Sequence, residues 1–308
     1  MNVKQKLQFI KDLSGFTQEK LAKELEVSFA TLNSWINGKS KPRRKAEENI
    51  NDLYFKYTGQ KKIPEDLLLA KKQTVENKSK KHKNVLKEII QNPDIYDQFM
   101  LSFTYHTNKL EGSTLTEDET KAILFDNIAL SNKSMAEQLE VRNHQAAFEY
   151  LFEYFKNPLV KVNEELILKL HSILMNGIIS DAGAYRTHGN RIVGANVPTA
   201  NYLKVPILMK EIVKKIDYQS KNIILHTAII HSKFEKIHPF SDGNGRTGRL
   251  LMNAMLLNNN LPPAIVKQVK KRVYNSCLRK SQLKEDFLPL EEFFYDAILE
   301  GFKILERK

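Results

Sequence analysis

The chain of 308 residues contains a single cysteine, Cys277. That excludes an internal disulfide and any zinc site built from several cysteines, and it fits a reducing compartment. No histidine neighbours Cys277 in sequence, so it reads as a small core residue and not as a nucleophile. Nowhere does the chain approach the run of about 18 apolar residues that a membrane span needs. Residues 1–16 also lack the apolar stretch of a signal peptide. A cytoplasmic protein with no membrane attachment is therefore expected. Two catalytic signatures are missing as well. There is no GxxxxGK, which excludes a P-loop, and no HExxH. His226, His231 and His238 stand five and seven residues apart, spacings that do not share a helical face, so no zinc site is expected.

What is present looks globular: 42% hydrophobic and 27% charged residues, enough chain for one large domain and one small one. The net charge of +12 is unevenly distributed. Up to Asn84 there are 19 Lys or Arg against 10 Asp or Glu, an excess of +9 that leaves only +3 for the remainder. A basic N-terminal part points to a polyanionic partner.

Composition divides the chain into three regions: 1–57, with short amphipathic segments; 58–84, a basic polar linker with about one helical turn near residues 67–70; and 85–308, where apolar residues recur at helical spacing. Only residues 183–199 hold enough Gly, Val and Ile for a short hairpin. The expected fold class is all-α, a helix bundle with that hairpin plus the small N-terminal domain.

In residues 16–38, Thr17 and Ser28 are each placed to cap a helix. Leu21, Ala22, Leu25, Val27, Leu32, Trp35 and Ile36 would form the core between the two helices. This spacing resembles the phage-repressor (Cro/C1-like) helix-turn-helix family, down to the Trp35-Ile36-Asn37-Gly38 that ends the second helix. The resemblance implies DNA binding, with Ser28, Phe29, Thr31 and Asn33 near base edges and Lys39, Lys41, Arg43 and Arg44 on phosphates. A module of this kind usually acts in two copies, so a homodimer is expected.

The sharpest signal runs from His238 through Pro239, Phe240, Ser241, Asp242, Gly243, Asn244, Gly245, Arg246 and Thr247 to Gly248 and Arg249, a loop between two apolar helices. Gly243 and Gly245 flank Asn244 and let several backbone N–H groups point one way at a helix start, which makes an anion site. Arg246 and Arg249, three apart, could clamp further phosphate oxygens. Asp242 offers a carboxylate beside the same anion, as a Mg²⁺ ligand bridging to diphosphate would. His238 titrates near neutrality and can accept a proton from an attacking hydroxyl.

These residues resemble the Fic family motif without a departure, and the likeness extends over about residues 85–307. The family's activity, transfer of AMP from ATP to Ser, Thr or Tyr hydroxyls of proteins, is what the resemblance implies, with ATP as substrate and Mg²⁺ as cofactor. Gly183, Ala184, Tyr185 and Arg186, followed by Arg191, Ile192, Val193 and Gly194, look like the family's flap hairpin. That flap holds a target segment by strand addition. Tyr274 and Asn275 match positions near the adenine. Thr107, Glu111 and Gly112 match an inhibitory motif at the end of a helix near 93–112. Glu111 would reach Arg249 and occupy the arginine meant for the terminal phosphate. The expected protein is thus an autoinhibited protein adenylyltransferase that can also modify itself. Two alternatives stay open: a Fic enzyme moving another phosphoryl-linked group, and a transcriptional regulator whose Fic domain senses nucleotide or dimerises.

Overall fold

The computed structural model describes residues 2–61, 63–192, 197–218 and 220–307. Their regular structure is helical, with fifteen α-helices and two single 3-10 turns, and no strand forms among the described residues.

The chain opens with α1 (Val3–Ser14), α2 (Gln18–Glu24), α3 (Phe29–Ile36) and α4 (Arg44–Thr58). Thr17 accepts from Lys20 N and Ser28 from Thr31 N, so each hydroxyl satisfies a backbone donor that the first helical turn leaves open. Gly15 ends α1 in the left-handed region. Leu7, Ile10, Leu21, Leu25, Leu32, Trp35, Ile50 and Leu53 then close a small core of their own.

The stretch expected to be a linker is instead largely a helix, α5 (Glu65–Ser79). Glu65 and Asp66 fall in its first turn, where they suit the helix dipole. Two of its three lysines are ion-paired: Lys71 with Glu292 and Asp296, and Lys78 with Glu306. Lys61, just before the helix, reaches Glu292 at 2.6 Å. The polar composition that reads as a linker is the matching half of an ion-pair seam. Its acids lie more than two hundred residues away, out of reach of any local sequence window.

The remaining helices are α6 (Val85–Gln91), α7 (Pro93–Glu111), α8 (Glu117–Phe125), α9 (Met135–Phe155), α10 (Glu164–Leu174), α11 (Val205–Ile216), α12 (Ile223–Ile237), α13 (Asn244–Leu257), α14 (Lys271–Lys284) and α15 (Leu288–Leu305). At the centre lies α13, buried along its length except at Gly245. It packs on α12 as a hairpin while α7, α9 and α10 cover its other sides. An all-round buried helix is apolar on every face, and its two arginines are therefore the exceptions that need partners. α14 and α15 back the hairpin, and α14 also packs on α4, with Arg272 3.1 Å from Glu24.

No ladder forms over the described part of residues 183–199, and Val193 and Gly194 lie outside the described residues. Side chains take up the segment's polar groups instead. Arg186 donates to the carbonyls of His188 and Ala200, and Thr199 to that of Asn190.

Glu292 is 6% exposed and accepts from two lysines. Glu292→Ala would strand Lys61 and leave Lys71 with Asp296 alone, and the expected loss is about 3 kcal/mol of unfolding free energy. Urea titration of the two proteins checks this; an unchanged midpoint would mean that α5 is not held by the seam.

Candidate active site

His238 is the C-cap of α12 and adopts φ 53°, a left-handed conformation that few non-glycine residues accept. The surroundings hold it there. Its N–H bonds Phe234 O at 2.9 Å, and Arg186 Nε donates to its carbonyl at 2.7 Å. Its Nδ1 donates to Glu235 O at 3.3 Å. A carbonyl can only accept, so Nδ1 carries the proton and the Nε2 lone pair is left for the site. Burial, helped by Arg186, lowers the imidazole below its ordinary pKa, outweighing Glu111 and Asp242. The ring is therefore neutral at pH 7 and able to act as a base.

The loop after His238 is braced by three side chains. Asn244 spends its side-chain amide on Phe240, accepting from its N–H at 2.9 Å and donating to its carbonyl at 2.8 Å. Asn190 donates to the carbonyls of Phe240 and Ser241. His171 bridges Gly183 N and Asp242 O, with its ring stacked on Phe240 at 3.6 Å. Asn244, expected among the phosphate contacts, can thus contribute only its backbone N–H.

With Gly243 at φ 73° as N-cap, α13 begins at Asn244. The first bond back onto the cap is Thr247 N to Gly243 O, so the N–H groups of Asn244, Gly245 and Arg246 stay open, as an anion site requires. What stands over them is Glu111. A Cβ at Gly245 would collide with its Oε1, so the carboxylate lies directly on the helix start.

The same carboxylate accepts from Arg249 Nη2 at 2.6 Å. Arg249 is 2% exposed and also donates to Thr107 Oγ1 at 2.6 Å and Thr107 O at 3.3 Å. Gly112, left-handed at φ 109°, stops α7 so that Glu111 falls on the last turn. Burial pushes the Glu111 carboxyl up, but Arg249, with Arg246 and Lys271, outweighs it and holds the pKa below the ordinary value.

Arg246 is 3% exposed and faces α9, its Nη1 2.7 Å from Glu140 Oε1. Both loop arginines are thus met by acids from preceding helices, and the sequence carried no local sign of Glu140. Asp242 is exposed, its Oδ1 accepting from Gly243 N. One carboxylate beside an anion cradle is the donor set with which Mg²⁺ joins protein to a polyphosphate, the other ligands being phosphate oxygens and water. Among the described residues no cluster of three metal-ligating side chains forms.

The positions matched to the adenine divide. Tyr274 is 2% exposed, its hydroxyl donating to His231 Nε2 at 2.6 Å, while His231 Nδ1 donates to Gly248 O. Tyr274 therefore sits inside the core behind α13, and Asn275 is exposed beside it. Arg191 is exposed and Ile192 half-buried at the edge of the described segment. Cys277 is buried, and burial pushes its thiol up to about 12, so it is inert as a nucleophile.

Residues 161–256 match the Fic/DOC family, and residues 7–45 a helix-turn-helix family. Residues 161–256 are thus the stretch of the chain that is similar to a Fic/DOC domain. Over 196 residues it is 29% identical to "Protein adenylyltransferase Fic" of Aedes aegypti, a match covering 63% of this chain and 39% of that one. Over 195 residues it is 30% identical to the protein of the same name in Drosophila willistoni, with the same two shares. The match spans about two fifths of these relatives' length. Two solved structures share the fold. Fic-1 from C. elegans superposes with a TM-score of 0.66 at 20% identity, covering 97% of this chain and 96% of that one. A Fic-domain signalling protein from Bacteroides thetaiotaomicron VPI-5482 gives 0.65 at 23%, covering 76% and 96%.

Beneath the Fic loop sits a group that the sequence did not flag. Glu235 is 7% exposed, its Oε1 has no hydrogen-bond partner, and it lies 3.9 Å from His231 Nε2. Burial raises its pKa to about 7 against the pull of Arg249, with Glu111 adding to the rise. Between 4.5 and 7 the folded chain therefore keeps a proton that the unfolded chain has released. The Glu235 contribution to stability falls as pH rises through that window and is level above it. Glu235→Gln should gain on wild type by up to about 3 kcal/mol between about pH 4.5 and 8. Chemical unfolding of both proteins at several pH values checks this. Parallel curves would show that Glu235 is ionised throughout.

Proposed function

We propose that this protein transfers AMP from ATP to a hydroxyl of a protein target, itself included, and that Glu111 holds the reaction in check. The observation that carries the reading is the Glu111 carboxylate over the start of α13, bonded to Arg249. An acid occupies the place built for an anion, near enough to the only imidazole of the loop to act on its charge. The adenylyltransferase names of the relatives support the choice of AMP as the transferred group.

With Glu111 withdrawn, the open amides of Asn244, Gly245 and Arg246 and the freed Arg249 would receive the phosphates. The target hydroxyl oxygen attacks the α-phosphorus in line. Its proton passes to His238 Nε2, a phosphorus–oxygen bond to the target forms, and the bond to the β-phosphate breaks to release pyrophosphate. Mg²⁺ on Asp242 would neutralise phosphate charge. Thr107 keeps two contacts with Arg249 that do not depend on Glu111, so the guanidinium stays in place when the acid leaves.

The helix-turn-helix part is proposed to bind DNA as a homodimer. Ser28, Phe29 and Asn33 are exposed on α3, as are Lys39, Lys41, Arg43 and Arg44 after it, and Thr31 is half-buried. The Ser28 and Thr31 hydroxyls are bonded to each other at 2.8 Å, and Asn33 Oδ1 accepts from Asn37 Nδ2 at 2.8 Å, which leaves Phe29 and the Asn33 side-chain N–H groups as the freer base readers.

Glu111→Gly is expected to raise labelling by α-labelled ATP about tenfold or more, since it removes a charge-assisted bond from the phosphate-binding arginine. His238→Ala on that background should lose at least about a hundredfold. The activity of Glu111→Gly should also fall on the acid side, at a pH below the ordinary imidazole range, because the imidazole must be neutral and burial lowers its pKa. Equal labelling of wild type and Glu111→Gly would remove the brake, and γ-labelling would change the transferred group. For DNA, retardation should weaken as salt rises. Replacing Lys39, Lys41 and Arg43 should lessen the log–log slope by about 0.9 for each phosphate no longer neutralised.

A further inference from the structure

Next to the catalytic loop lies a second concavity that the proposed chemistry does not use. Its volume is about 410 Å³, and it opens between α11, α12 and residues 198–200. Ile212 and Ile237 form an apolar floor, with Leu208, Ala200 and Pro198 as walls. Leu203, in the turn before α11, and Ile207, in its first turn, are 70% and 63% exposed. Exposed aliphatic side chains beside an apolar cleft are the mark of a docking surface.

The rim has one sign. Lys215, Lys233 and Lys236 border the groove with Glu211 as the only acid among its lining residues. None of the three lysines enters an ion pair among the described residues, and Lys236 donates to the Gln282 carbonyl instead. Lys233 sits close enough to Lys215 for the like charge to add to burial in lowering its pKa, against the weaker pull of Glu285 and Glu211. An anionic partner would relieve that repulsion. A second copy of this chain, bringing the same lysines to a two-fold interface, would add to it.

The groove is also tied to the reacting centre. Ile237 precedes His238, and Arg186 donates to the carbonyls of His238, Ile237 and Ala200, the last at 2.6 Å. One guanidinium thus fixes the groove wall and the base in a single frame, so a chain seated in the groove is registered against His238.

We propose that this groove docks an acidic segment of the target protein, which seats one apolar side chain between Leu208 and Ile237 with carboxylates on the lysine rim. The inference rests on the protein-modifying reading above and adds the class of substrate to it.

The probe is a fluorescein-labelled peptide of alternating Asp and Glu around a single Leu, with a Thr a few residues on. It is compared with peptides carrying Ala for the Leu or Lys for the acids. Anisotropy with the full-length Glu111→Gly chain should show binding of the first only. Lys215→Glu together with Lys233→Glu should weaken it by about tenfold, and Leu208→Ser should do so without changing charge. Lys210→Glu with Lys214→Glu, the same charge change on another face of α11, should leave it intact, as should ATP binding in every variant. Equal affinity for the acidic and basic peptides, or no effect of the groove variants, overturns the inference. So does a dimer, seen by sedimentation, that Ile207→Asp dissociates, or capture of the protein by phosphatidylserine vesicles in place of the peptide. Failure of the adenylyltransferase reading is separate: the peptide would bind yet no variant would label its Thr.

Discussion

A guanidinium buried in the middle of a helical protein must be satisfied from several directions, and Arg249 organises the centre of this one. It sits on α13, which is apolar on nearly every face and could not otherwise tolerate a charge. Thr107 supplies a hydroxyl and a carbonyl, and Glu111 a carboxylate. Both residues come from the last turns of α7, so the position of that helix is set by the electrostatic need of α13. If the acid alone met the arginine, moving it would leave an uncompensated buried charge. Because Thr107 remains, the carboxylate can give way to another anion and the arginine needs no new geometry. The contact is well suited to exchange.

The loop preceding α13 is rigid for a related reason. His238 takes a left-handed backbone that costs on the order of 1–3 kcal/mol unless its neighbours enforce it. Here Arg186, Asn190, His171 and Asn244 all bond the loop backbone. Three of them come from segments well before the loop in the chain. Their cumulative effect is a turn whose open amides are held in place before any ligand arrives, which is what electrostatic preorganisation asks of the proposed phosphoryl-transfer chemistry.

That division explains what could be read in advance. Gly243, Gly245, His238 and the helix-capping Thr17 and Ser28 were legible because their roles are local: a turn, a left-handed position, a donor three residues on. Glu111 was legible only through its motif, and the geometry that makes it matter, a carboxylate over Gly245, needed the fold. Glu140 and Glu235 gave no signal, since an isolated acid on a helix looks the same whether it faces water or a buried arginine. Asn244 misled in the opposite direction. It stands between the two glycines proposed to cradle phosphate, yet its side chain is a brace. Tyr274 did likewise, because a tyrosine in a helix gives no sign that its hydroxyl will be spent on His231.

The same reasoning revises the charge argument. The N-terminal excess of positive charge points to a polyanion, but part of it never faces solvent as free charge. Lys61, Lys71 and Lys78 are matched by Glu292, Asp296 and Glu306 of the chain's last helical stretch. Of what remains, Lys39, Lys41 and Arg43 gather at the end of α3 near the exposed Phe29 and Asn33, with Arg44 beside them and paired with Glu48. A smaller basic patch next to a capped helix is a better footprint for the major groove than a diffuse excess, because phosphate contacts fix register only where they cluster. Meanwhile Arg272 and Lys270, at the start of α14, face Glu24 and Asp52 of the helix-turn-helix part. The buried face of the same helix carries Tyr274 against His231. The two ends of the proposed function thus share one rigid element, and the residual charge at each end belongs to a different anion.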